Sequence, residues 1–288
     1  MPRTEALTRR FIYVLKVGLM AWCSQALAEG AGQTPAPPLP AAPWKFEEIR
    51  RLPAAEAKQG VAADDSHVYV IDNRTIGKYR LDNGERVARW EGPKGGPLTH
   101  LNAGIVREGK LYCAHSNFPS VPTVSSVEIW DTSTLKHVGS HSFGHFVGSL
   151  TWVDFKNGFW YACFAQYAKA GAEPGKDPSF TEVIKFDDQW RRLEGWVFPA
   201  ALVAQFGGNS SSGGGFGPDG QLFITGHDAK EMYLIEFPEA GSELVWKGTL
   251  PTSFPGQAFA WQHADQGLIF AIDRGKREVL AGRVTRRP

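Results

Sequence analysis

Methionine and cysteine are scarce, three of each in 288 residues, and the net charge is only +1. So few cysteines exclude a disulfide-framed scaffold. A balanced charge with no basic patch excludes a nucleic-acid surface, and no acidic run marks a disordered tail. No long stretch carries helical periodicity. The P-loop signature and the G-x-S-x-G serine elbow are both missing. What is abundant is turn and aromatic residues: Gly 32, Pro 19 and Trp 10. That mixture predicts an all-β chain. With 42% apolar residues, the chain can bury a full-sized core in one domain.

The N-terminus reads as a targeting segment. Arg9 and Arg10 precede the apolar run FIYVLKVGLMAW, and Ala26-Leu27-Ala28 follows. This order predicts a signal peptide over residues 1–28, removed after Ala28, and a periplasmic or secreted mature protein. Lys16 interrupts the apolar run, which is shorter than the ~20 residues of a spanning helix, so no membrane span is expected after cleavage. Trp22 before Cys23 argues against a lipid-modified cysteine. Residues 29–43 form a Pro/Ala-rich linker, expected to be disordered, and residues 44–288 form a single domain. Cys113 and Cys163 remain in the mature chain. Each sits mid-strand among apolar neighbours and reads as a buried thiol.

The domain is internally repeated. HVYVIDNRTIGKYRLDNGERVARWE (67–91) contains three strands separated by a polar break and an Asp82-Asn83-Gly84 turn. The pattern recurs from KLYCAHSN, from FWYACFAQY, from QLFITGHD and from GLIFAIDR, the last copy lacking its final strand. A strand rich in small residues precedes each copy, as in QGVAADD and SSGGGFGPDG. Four strands per unit at this spacing predict a β-propeller of five blades, with small side chains where the blades crowd the axis. WKFEEIRRL (44–52) resembles the missing outer strand and is expected to complete the last blade and close the ring.

Antiparallel strands send alternate connections to opposite faces. One face collects the turns DDS, REG, KNG and PDG, ordinary hairpin chemistry. The other collects polar residues from every blade. Before the inner strands stand Gln59, His100 with Asn102, Thr151, Ser211 and Gln257. After the second strands stand Asp72 with Asn73 and Arg74, His115 with Asn117, Gln166, His227 with Asp228, and Asp273 with Arg274. This asymmetry predicts a small-ligand mouth at that face, and the same side chains could equally hydrogen-bond neighbouring blades. Asp154 lies toward the hairpin face. His100, His115 and His227 share no close HxH or HxxxH spacing; His137, His141 and His145 stand at i, i+4 and i+8, but on an expected strand, where helical spacing does not apply, and no metal is assigned.

These repeats, over residues 44–284, resemble the exported propellers of lactonase, carboxymuconate cycloisomerase and quinoprotein dehydrogenase type. The resemblance lies in blade patterning; it implies activity on lactones or sugar acids and leaves the cofactor open. Two readings follow. In an enzyme, Arg274 would bind a carboxylate and His227 or His115 would move a proton. In a scaffold, the same face, with Gln59, Asp72, Arg74, His100, Asn102, Asn117, Thr151, Asp228, Gln257 and Asp273, would hold a small polar molecule or a protein without chemistry.

Overall fold

Twenty strands make up about half of the described residues in a computed structural model that describes residues 41–262, 264–265 and 267–287. The expected signal peptide and residues 29–40 of the expected linker lie outside the described residues. The strand β1 (Trp44–Pro53) comes first. Blade one follows as β2 (Gly60–Ala63), β3 (His67–Asp72), β4 (Thr75–Arg80) and β5 (Arg86–Glu91). Blade two is β6 (His100–Arg107), β7 (Lys110–Ser116), β8 (Val124–Asp131) and β9 (His137–His145). Blade three is β10 (Ser149–Lys156), β11 (Phe159–Ala165), β12 (Glu182–Phe186) and β13 (Arg192–Val197). Blade four is β14 (Gly213–Phe216), β15 (Leu222–Thr225), β16 (Glu231–Glu236) and β17 (Val245–Pro251). Blade five is β18 (Phe259–Trp261), β19 (Leu268–Asp273) and β20 (Glu278–Arg286).

Each blade is a four-stranded antiparallel sheet, and the fifth obtains its fourth strand from β1 in the order β1-β20-β19-β18. The fold is therefore a five-bladed β-propeller closed by its first strand. Register runs from Trp44 opposite Arg286 to Pro53 opposite Glu278, with one bulge between Glu48 and Arg50. Arg51 strengthens the closure. Its Nη1 donates to Asp273 Oδ2 at 2.9 Å and to Glu278 Oε2 at 3.2 Å, while Nε donates to Glu48 Oε1 at 2.8 Å. Pairing β1 onto β20 covers the edge that β20 would otherwise expose as a template for aggregation.

The chain is ordered slightly before the closing strand. Ala42 is buried, its N–H bonds Thr249 O, and Pro43 O accepts from Arg287 N. These residues fall within the stretch expected to be linker, and contact with the last strands holds them. One short helix, α1 (Ala200–Gln205), joins blades three and four. Among the described residues, no helix is long and apolar enough to cross a membrane.

Close approach at the axis explains the small inner strands. A Cβ on Gly60 would lie 2.6 Å from Asn102 O, and one on Gly214 would lie 2.3 Å from the Trp152 ring. The seams between blades are filled by aromatic and branched side chains. Trp152, Ile224 and Tyr233 pack together between blades three and four, and Val61, Val70, Phe270 and Ile272 between blades five and one. Each such side chain contributes about 2 kcal/mol by leaving water. Cys113 and Cys163 are free, buried thiols within these seams, and burial raises both, Cys163 to about 12. On the hairpin face, Glu108-Gly109 and Asn157-Gly158 have positive φ at both positions, the geometry of a tight turn between twisted strands.

Candidate functional site

The polar residues of the expected mouth are distributed over several local networks. Between blades one and two, Asn73 Oδ1 accepts from Gln59 Nε2 at 2.9 Å and from His100 Nδ1 at 2.8 Å. A carbonyl oxygen can only accept, so the His100 proton sits on Nδ1 and Nε2 keeps its lone pair. Burial, with repulsion from Lys58 and from any charge on His115, drops His100 to about 4. Its ring lies 5.0 Å from Phe118, which lies 5.0 Å from Tyr167.

Between blades four and five, three predicted residues meet. His227 Nδ1 is 2.8 Å from Asp228 Oδ2, Arg274 Nη1 is 3.0 Å from His227 Nε2, and Arg274 Nη2 donates to Asp228 Oδ1 at 3.0 Å. The guanidinium has no acceptor, so it fixes the His227 proton on Nδ1, toward the carboxylate. Gln257 Nε2 reaches His227 O at 3.4 Å.

The other predicted residues join different parts of the fold. Asp72 pairs with Arg277 at 3.2 Å and Lys58 at 3.6 Å, joining blades one and five. Asp273 belongs to the ring closure. Burial pushes its carboxyl up, but the Lys276 N–H and Arg51 outweigh that and hold it below the ordinary range. Arg74 donates to Gly92 O, and Asn117 staples its own loop by accepting from Val124 N and donating to Pro122 O. Asn102 and Thr151 are buried at the bulges of β6 and β10, with Thr151 Oγ1 3.4 Å from Cys163 O. His115 has both nitrogens engaged: Nε2 accepts from Thr99 N at 3.2 Å and Nδ1 faces Ser126 Oγ at 2.9 Å. Among the described residues, no three His, Cys, Asp or Glu side chains are grouped to hold a metal ion.

A cavity of about 290 Å³ lies on the axis at the hairpin face, and none of the residues just described lines it. Its walls are Ile105, Val153, Phe259 and Trp261, and its polar groups include Asp154, Lys156, Asn157 and Gln262. The period of two along β10 places Trp152, Asp154 and Lys156 on the side turned to blade four. There β14 is GGGF, without side chains to fill the space. Asp154 is half-buried and oriented by two backbone N–H groups, Phe216 N at 2.6 Å and Phe155 N at 2.7 Å. Lys156 donates to Gly220 O and lies 4.5 Å from the Phe216 ring centroid. Burial lowers its pKa, partly opposed by Asp154.

Asp154 was legible as a hairpin-face residue, but its place beside Lys156 in a cavity wall was not. The usable signal was the Asp-x-Lys spacing on an inner strand, opposite a run of glycines in the next blade.

No protein-family profile matches the sequence, and no curated protein is significantly similar to it. Similar solved structures exist at low identity. A luciferin-regenerating enzyme matches at 11% identity over 84% of this chain and 95% of its own, with a TM-score of 0.49. A gluconolactonase from Xanthomonas campestris matches at 12% identity over 76% and 69%, with a TM-score of 0.45. The WD40 repeats of RRP9 match at 11% identity over 79% and 67%, with a TM-score of 0.41. The assignment of the fold rests on the blade topology of this chain itself.

Proposed function

We propose that this propeller binds a small hydroxylated anion of the sugar-acid class, the form a sugar lactone takes once opened, in the axial cavity at the hairpin face. The observation that carries this reading is a concave site on the axis lined by both a carboxylate and an ammonium beside aromatic walls. Lys156 would meet the ligand's carboxylate, Asp154 would accept from its hydroxyls, and Trp261 would cover its less polar face. At about 290 Å³ the cavity stands at the small end of the range for ligand pockets. Fixed donors and acceptors in a concave, partly desolvated site give more binding than the same groups in open water.

A second reading places the ligand at the opposite mouth, where Arg274 would take the carboxylate and His227 would move a proton. His100 favours it: a neutral imidazole with a free Nε2 lone pair, set against Phe118. A third outcome is a scaffold that holds a protein partner without turnover.

Calorimetric titration with D-gluconate and with glucono-δ-lactone separates these readings, with lactone opening followed by proton release. The axial reading expects gluconate affinity to fall at least about tenfold in Lys156→Met and to stay unchanged in Arg274→Ala. The reverse pattern would move the site to the opposite mouth. No binding in any form would leave the scaffold role.

A further inference from the structure

The outer half of the seam between blades one and two is built unlike that between blades two and three. In blade three, the cross-strand pair Ala162–Ile184 faces the preceding blade and is packed by apolar residues. The corresponding pair in blade two is Cys113–Glu128. Glu128 is 4% exposed, a carboxylate where blade three has an isoleucine.

Neighbours on the same face hold this carboxylate. Ser126 Oγ donates to Oε1 at 2.6 Å, and Ser140 Oγ donates to the same oxygen at 2.8 Å. His137 Nε2 lies 2.7 Å from Oε2. A carboxylate has about four lone-pair directions, so one on Oε2 is left over. Behind Ser126, His115 passes its Nδ1 proton toward Ser126 Oγ and is itself fixed by the Thr99 N–H. This series of hydrogen bonds is anchored at both ends and leaves acceptor capacity on Oε2.

Glu128 lines a cavity of about 550 Å³ together with its own partners Ser126, His137 and Ser140, and the wall away from them is Trp90, Pro93, Pro97, Leu98 and Val124. No lysine or arginine lines this space, and Glu128 is the only carboxylate that does. A buried carboxylate at the base of an apolar cavity disfavours anions. It favours a cation that completes the fourth hydrogen bond and leaves its hydrocarbon part against the indole and prolines.

We infer that this seam is a binding site for a small organic ammonium ion with an aromatic or alicyclic body, held by Glu128 and Trp90. The site is separate from the axial cavity, with which it shares no lining residue.

Phenethylamine tests it against two probes of nearly the same shape, phenethyl alcohol and phenylacetate, by calorimetry at pH 8. The expected order is ammonium tightest, alcohol weaker by roughly tenfold, and carboxylate undetectable; charge-assisted hydrogen bonds set that scale. Glu128→Gln should remove the preference, bringing the amine to the affinity of the alcohol. Removing a buried carboxylate could disturb folding, so Val124→Trp, at a half-buried wall position, serves as a second variant. It should fill the cavity and abolish amine binding while the far-ultraviolet circular dichroism is retained. Equal affinity for all three probes, no binding of the amine, or undiminished amine binding in both variants would overturn the assignment.

Discussion

The two mouths of the central channel differ in how their polar groups are used. At one, His100, His227, Asp228, Arg274 and Asp273 come from several blades and are engaged, His100 and Arg274 with a neighbouring blade and Asp273 with Arg51 of its own blade. At the other, Asp154 and Lys156 come from one strand and also bond blade four, through Phe216 N and Gly220 O, but they border unfilled volume. The crowded mouth looks richer in sequence, yet its polarity chiefly joins blades. Polar side chains indicate a site when they border unfilled volume, and their number alone does not separate a site from a seam.

The largest expected effect comes from filling the glycine strand that leaves the axial cavity open. Gly214→Val would drive a branched side chain into Trp152 and should cost at least about 3 kcal/mol, seen as a lower midpoint in urea denaturation. An unchanged midpoint would mean that the axis has more room than the packing indicates.

Acid should distinguish the crowded mouth next. His100 is held neutral, its folded pKa lowered from 6.5 to about 4. A depressed histidine favours the unfolded state as soon as that state takes up a proton. Stability present above pH 6.5 is therefore lost as pH falls toward 4, by about 2 kcal/mol. His100→Asn should flatten that window, with urea midpoints at pH 7 and pH 5 as the readout.

A smaller effect belongs to ring closure. Arg51→Ala removes contacts to Glu48, Asp273 and Glu278, all partly solvated, and should cost about 1 kcal/mol at pH 7. Glu48 and Asp273 both have lowered pKa values. Their contribution is present above the ordinary carboxylate range and is lost as pH falls through their folded values. The gap between variant and parent should therefore narrow below about pH 4.

The smallest effect should come from His227→Ala. The side chain is 31% exposed and its network is solvent-facing, so thermal unfolding should shift by less than about 1 kcal/mol. A larger loss would raise the crowded mouth from a set of surface links to a structural centre.

Much of the fold was legible because it is local and repeated. GKLYCAHSN and GQLFITGHD place the second strand of two blades, and the truncated copy at GLIFAIDR called for a partner that WKFEEIRRL supplies. The same periodicity assigned Asp154 to the hairpin face. What single-strand reading could not supply is adjacency across blades. Asp154 meets Phe216 across 62 positions, and Arg274 meets His227 across 47. Whether a polar side chain on a rim is free or engaged depends on such partners, which no pattern within one repeat encodes. Glu128 was hidden for the same reason: its Val-Glu-Ile setting reads as an ordinary strand, and only the seam with blade one reveals the cavity beside it.

Closure by β1 also orders events in time. Trp44 is among the first residues of the domain to be synthesised, and its partner Arg286 is among the last. The first strand must therefore wait, unpaired, until β20 has been made. Bringing such distant segments together is slow relative to forming local hairpins. Blades one to four can assemble from contiguous sequence, but the ring as a whole is completed by the final dozen residues. A chain cut short there would keep four whole blades and an open edge, a difference that limited proteolysis of nascent-length fragments would resolve.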